Sequence, residues 1–183
     1  MSIFDLILSD LYRYSRKTDK VTLIKYLLTN PFFCYLFFHR LSKSKHFLLR
    51  CISRIFRPYF SNKTGIQIPT KVKIGYALYI PHGNVVINST TSIGNNGTIC
   101  QYTSIGSTKK NAATIGSNVY IGPNVSIVES VKIKDNVVIG AGSVVLNDID
   151  ESSTVAGVPA KMINKNNVIE DIITNKFRYD DNE

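Results

Sequence analysis

The sequence predicts a mainly β chain: a parallel β-helix of hexapeptide repeats behind a small α-helical N-terminal region. Three observations predict it. From Ile115 to Asp150 the chain divides into six blocks of six residues, each opening with Ile or Val. The same beat runs back through Ile68, Ile74 and Ile80, and through Ile87, Ile93, Ile99 and Ile105. Residues 1–60 lack this beat and interleave apolar and basic residues at helical spacing. A period of six fits no α-helix. It fits short strands stacked coil on coil, three blocks to a coil, with the opening residue of each block turned into a dry centre. Each buried Ile contributes roughly 1.5–3 kcal/mol, and no coil covers its own faces, so the array folds as a stack.

The elements follow in order. Ile3, Phe4, Leu6, Ile7 and Leu11 share one face of a first helix. Thr22 to Leu28 continues the pattern up to Pro31, which restarts a helix as its first residue. Phe32–Leu41 and His46–Phe56 read as further helical stretches, and Pro58 is expected to close the region. Residues 61–67 read as a linker into the coil, giving a helical region 1–60, a β-helix domain 61–163 and a tail 164–183. Val155-Ala156-Gly157-Val158-Pro159-Ala160-Lys161 is expected to end the coil, its proline blocking further strand addition. The tail is expected to carry a short helix around Val168–Ile173 and then to turn acidic and frayed.

Of the net charge of +9, residues 1–60 hold +8: eleven Lys and Arg against Asp5, Asp10 and Asp19. Two readings of this basic amphipathic region stand side by side: a cap packed on the β-helix and on sister subunits, and a surface that meets anionic lipid or a lipid-linked substrate. No nucleic-acid partner is expected, because charge without a binding motif is not evidence of one. Cys34, Cys51 and Cys100 have no metal-ligand spacing. Their odd number, with no cleavable leader in the first apolar run, predicts a reducing cytoplasm, with contact to the inner face of the membrane in the lipid reading. The run Tyr26–Phe38, broken at Asn30-Pro31, is too short to span a bilayer.

The beat breaks twice. The step from Ile80 to Ile87 is seven, with the extra residue near Pro81-His82-Gly83; the step from Ile105 to Ile115 is ten, so the Ser107–Thr114 region bulges out. A regular scaffold that departs from its own rule is expected to do its chemistry there. With three blocks per coil, the blocks opening at Ile80, Ile99, Ile121 and Ile139 share one face. Their third residues, His82, Gln101, Pro123 and Ala141, form a ladder up one corner. At about 4.8 Å per strand, Ala141 stands roughly 14 Å from His82, room for a long, thin ligand arm.

The hexapeptides, the loop and the closing Ala-Gly-Val-Pro-Ala-Lys resemble the left-handed β-helix acyltransferases, nearest the serine acetyltransferase type and its relatives that O-acetylate surface polysaccharides. The resemblance covers residues 60–163. It implies a left-handed coil, a homotrimer and acetyl-CoA as co-substrate, with no metal. It implies His82 as the general base, a pantetheine channel along Pro123 and Ala141, and phosphate contact at Lys161. Gly122 and Gly140 suit coil corners and equally let the arm approach the backbone. Gln101 is expected to orient His82 or the acceptor, or to stand as an outward polar corner. Asn111 is placed with the acceptor contacts, and Lys109 and Lys110 read as a solvated loop tip, or as contacts to CoA phosphates or to an acidic acceptor. Cys100 reads as a repeat-filling side chain. The pattern also departs from the serine type, which the resemblance expects to carry Asp before this histidine and a second histidine in the loop. Here Pro81 and Asn111-Ala112-Ala113 stand in those places. The expected acceptor is therefore a saccharide hydroxyl in surface-polysaccharide synthesis, with serine as the alternative and a non-catalytic scaffold behind both. A zinc site of the β-helix carbonic anhydrase kind needs several histidines, and this coil holds one.

Overall fold

The computed structural model describes residues 1–165 and 173–179. Four helices, α1 (Ile3–Ser15), α2 (Lys20–Thr29), α3 (Pro31–Leu41) and α4 (Phe47–Thr64), precede a three-faced stack of short strands. Each helix start has a local cause. Ser2 and Asp5 form a reciprocal capping box on α1, Asp19 caps α2, and Asn30 followed by Pro31 starts α3. α2 and α3 meet at 112° across Asn30. α4 runs through Pro58 to Thr64 rather than closing at the proline, and ends at Gly65, whose φ of 71° is the left-handed cap conformation. The ring forfeits one backbone bond, yet Phe60 beyond it packs on the coil core and Thr64 is buried. Residues 61–64, expected as linker, are thus helix.

The strands are two to five residues long and pair in parallel along three faces. On the first, Ile74, Ile93, Ile115 and Ile133 stack in register. The second stacks Ile99, Ile121, Ile139 and Val155, with Tyr79 bridged to Thr98 below them. The third stacks Ile87, Ile105, Ile127 and Val145. All three columns point inward; every member is buried except Ile74 at the open end of the first, which is partly buried against the same core. At the corners after the first and second faces, the fourth residue of a block takes positive φ: Asn96, Asn118 and Asn136 on one, Tyr102, Asn124 and Gly142 on the other. Asn and Gly are the residues that tolerate this conformation best.

The closing segment differs from expectation. After Ser153–Ala156 the chain turns at Gly157–Ala160, through a cis Val158–Pro159 bond, and Lys161–Lys165 pairs antiparallel on the outer edge of the second face. Pro159 sits in the reversal, where it owes no ladder hydrogen bond, so it does not stop strand addition. The short helix expected around Val168–Ile173 lies, apart from Ile173, outside the described residues. Ile173 is buried with Val138, and Phe177 exchanges two hydrogen bonds with the Asn96 side chain (3.0 and 2.9 Å). Ile173 and Phe177 of the tail are therefore packed against the coil.

The helices dock on the first coil through a buried polar clamp. Arg40 meets the Asp10 carboxylate twofold (2.8 and 2.9 Å) and donates to the carbonyls of Ile74 and Gly75. Asp10 also accepts from Leu78 N–H at 2.8 Å. The Ser9 hydroxyl accepts from Ala77 N–H, while Arg13 donates to the Ala77 carbonyl, the Thr98 hydroxyl and the Thr174 carbonyl. Ala77 itself holds φ 58°, a strained conformation for a residue with a Cβ, and these bonds over-determine it. Burial pulls Arg13 down to about 10, which leaves it charged at neutral pH. Arg13 and Arg40 are thus buried, and Lys43 and Arg57 also donate to coil carbonyls, at Val72 and Ile68, so this part of the region packs on the β-helix as the cap reading expects.

His39 is buried in α3, stacked on Tyr35, and neither ring nitrogen has a hydrogen-bond partner among the described residues. Burial first, then Lys43, Arg40 and Arg57, push its pKa well below the ordinary 6.5. The unfolded chain therefore binds the proton more readily, so this contribution is complete above pH 6.5 and is lost as the pH falls below it. Unfolding by urea between pH 7 and 5.5 should show stability falling toward acid at up to about 1.4 kcal/mol per pH unit. His39→Phe should flatten that slope; an unchanged slope would show that His39 is not its source.

Candidate active site

The seven-residue step from Ile80 to Ile87 forms a turn at the corner between the second and third faces. His82 is exposed on it. Three elements of the cap hold the turn. The Tyr14 hydroxyl of α1 donates to the Ile80 carbonyl at 2.7 Å. Phe32 of α3 presents its ring nearly perpendicular to the imidazole (centroids 6.3 Å apart, planes at 77°). The Thr64 carbonyl at the end of α4 accepts from Asn84 N–H at 2.9 Å. Gly83 is what lets α4 come so close: a Cβ there would lie 1.7 Å from the Thr64 oxygen. The His82 imidazole makes no hydrogen bond to the described residues.

The ladder is realised by the strand register. Ile80, Ile99, Ile121 and Ile139 follow one another on the second face. Asn124 N–H donates to the Gln101 carbonyl and Gly142 N–H to the Pro123 carbonyl, each at 2.9 Å, so the corner itself is bonded coil to coil. Gln101 and Pro123 are half-buried and Ala141 is exposed. Gly122 is buried within the stack, where a Cβ would lie 2.8 Å from the Ile139 carbonyl oxygen; its first role is coil contact rather than ligand access. Lys161 is exposed and pairs with Ala156, next to Gly157, which continues the ladder above Ala141. His82, Gln101, Pro123, Ala141 and Lys161 thus follow one edge of the prism.

Asn111 does not join them within one chain. Its loop leaves the third face after Gly106 and re-enters on the first face at Thr114, across the third face from His82. The loop is tied down by Glu129, which accepts from the hydroxyls of Ser107 and Thr108, both at 2.8 Å. Those two hydroxyls hold the Glu129 carboxyl below its usual range. Lys109, Lys110 and Asn111 are exposed at the loop. Cys100 donates to Tyr120 at 3.5 Å, and burial raises its thiol pKa, which keeps it in the unreactive protonated form. Among the described residues no group of three His, Cys, Asp or Glu is placed to hold a metal ion. Tyr14, Phe32 and the Thr64 carbonyl escaped the sequence reading. An aromatic-rich helical cap was the only signal of them.

Residues 112–147 match the family model described as bacterial transferase hexapeptide (six repeats). With the three-faced stack and the corner ladder, this defines the class: a left-handed β-helix of hexapeptide repeats. The serine acetyltransferase of Staphylococcus xylosus is 37% identical over 153 residues, covering 80% of this chain and 69% of that protein. That of Staphylococcus aureus (strain Mu50) is 39% identical over 140 residues, and this chain spans 64% of its length and aligns over 73% of its own. Soybean serine acetyltransferase complexed with serine superposes with a TM-score of 0.74 at 27% identity, covering 88% of this chain and 70% of that one. Brucella abortus serine acetyltransferase in complex with coenzyme A gives 0.71 at 26%, covering 88% and 68%. The chain belongs to the serine acetyltransferase family. These relatives overturn the saccharide acceptor expected from Pro81 and Asn111: the two departures occur inside a chain whose similarity is to serine acetyltransferases.

Gly83→Ala should force the turn and the end of α4 apart, costing about 1–3 kcal/mol as overpacking does. Denaturant unfolding checks this; an unchanged midpoint would mean that the contact to Thr64 is not tight.

Proposed function

We propose that the chain is an acetyl-CoA-dependent serine O-acetyltransferase acting as a homotrimer in the cytoplasm. The observation that carries the reading is the exposed His82 at the foot of a straight corner ladder. The names of its relatives and the serine and coenzyme A complexes of its structural neighbours support it. The pantetheine arm lies along Ala141 and Pro123 toward His82, with Lys161 near the phosphate end. His82 takes the proton of the serine hydroxyl, whose oxygen adds to the thioester carbonyl carbon. The carbon–sulfur bond then breaks, and the imidazolium returns the proton to the thiolate. The products are O-acetylserine and free CoA thiol, and no acetyl-enzyme forms.

Where the pieces sit supports the homotrimer. Val86, Val128 and Leu146 are exposed apolar side chains on the third face, which lies between the His82 corner and the Asn111 loop. A closed ring of copies covers such a patch and sets the loop of one copy against the His82 turn of the next. Pro81 offers the serine ammonium no carboxylate. The amide oxygens of Gln101 and of a neighbouring copy's Asn111 take that place.

His82→Ala should lower kcat by on the order of 10²-fold or more, read as thiol release from acetyl-CoA with serine, while melting temperature and trimer mass stay unchanged. Retained turnover would remove the mechanism, and an intact enzyme that acetylates no serine would remove the acceptor. Gln101→Ala should raise KM for serine several-fold with a smaller change in kcat; steady-state kinetics showing the opposite split would reassign it to His82.

A further inference from the structure

A groove unrelated to the ladder opens on the outer side of the helical cap. Its walls are Met1, Ile3, Phe4, Ile7, Leu41 and Leu49, and its volume is about 520 Å³. Lys43, Lys45 and His46 stand in the turn between α3 and α4 that forms its rim. Beside it Phe47 and Leu48 are each 69% exposed at the first turn of α4, and Met1 and Phe4 are more than half exposed. Folding has left these large side chains in water although the cap has a core of its own in Ile7, Leu11, Phe33 and Leu41. Arg50 sits over the Phe47 ring at 6.0 Å and donates to the carbonyls of Ser44 and Lys45, so the turn is built with its cations in place. Arg54 follows Phe47 and Arg50 along the same side of α4. Asp5, on the first turn of α1, is engaged in the α1 cap, where it accepts from Ser2 N–H at 2.7 Å.

We propose that this end of the cap is a docking surface for an anionic lipid bilayer. Phe4, Phe47 and Leu48 enter the headgroup region, and Lys45, Arg50 and Arg54 meet the lipid phosphates. Exposed aromatic and aliphatic side chains bounded by basic ones are what an interfacial surface requires, because apolar burial and charge attraction then act together. Charge decides against a second copy as the occupant: a two-fold contact through this patch sets Lys45, Arg50 and Arg54 against themselves. The contact lies on the membrane rather than through it. No single described helix is long and apolar enough to cross a bilayer, and the bent pair of α2 and α3 buries Phe33, Cys34, Tyr35 and Leu36 inside the protein.

The full chain is mixed with sedimenting vesicles of phosphatidylcholine alone or with one-third phosphatidylglycerol. The expected result is binding to the phosphatidylglycerol vesicles that weakens at least tenfold in 0.5 M salt and in the Phe47→Ser, Leu48→Ser double variant. Lys45→Glu with Arg54→Glu should weaken it equally, and circular dichroism should show both variants folded. No binding to anionic vesicles, or equal binding by the variants, overturns the proposal. So does a lipid-free assembly, seen by sedimentation velocity, that the serine double variant breaks apart.

Discussion

One inward column, Ile80, Ile99, Ile121 and Ile139, fixes where everything else stands. Each of these side chains is buried, and a slip of one residue would turn the whole column outward, so the register is strongly held. Because that register is exact, the residues two places on are also in line, and the corner becomes a straight track from Lys161 down to His82. The extra residue between Ile80 and Ile87 is tolerated only because it falls outside the column, in the turn. The scaffold therefore sets the spacing of the track, and the irregular step sets the reactive group at its foot.

The helical cap supplies what the coil lacks at its first turn. The stack above is held on both sides by its neighbours, whereas the first coil is covered on one side only. Arg40, Asp10, Ser9 and Arg13 cover it there, bonding carbonyls and amides of residues 74–78 that no lower coil bonds. The same cap sends Tyr14, Phe32 and the end of α4 to the His82 turn. Stability of the first coil and placement of the imidazole thus share one set of helices, and a change in the cap is felt at the site.

The coil was legible because its signal is periodic: every sixth residue reports the same environment, so the ladder is fixed by counting. The cap was legible as helices but not as a clamp. Arg13 and Arg40 look like any surface cations in sequence, and only the fold shows that they meet buried carbonyls. Pro58 misled because a proline in the last turns of a helix can be carried by packing beyond it. Pro159 misled because a proline in a reversal blocks nothing. The acceptor was misread for a different reason. Pro81 and Asn111 are two single positions, while the similarity that decides the family is spread over most of the coil and part of the cap.

The most direct measurement is a crystal structure of the chain grown with coenzyme A. The account predicts the pantetheine arm extended along Ala141, Pro123 and Gln101, its sulfur within about 4 Å of the His82 ring. Coenzyme A bound on the first face, or along the corner with its sulfur pointing away from His82, would contradict it.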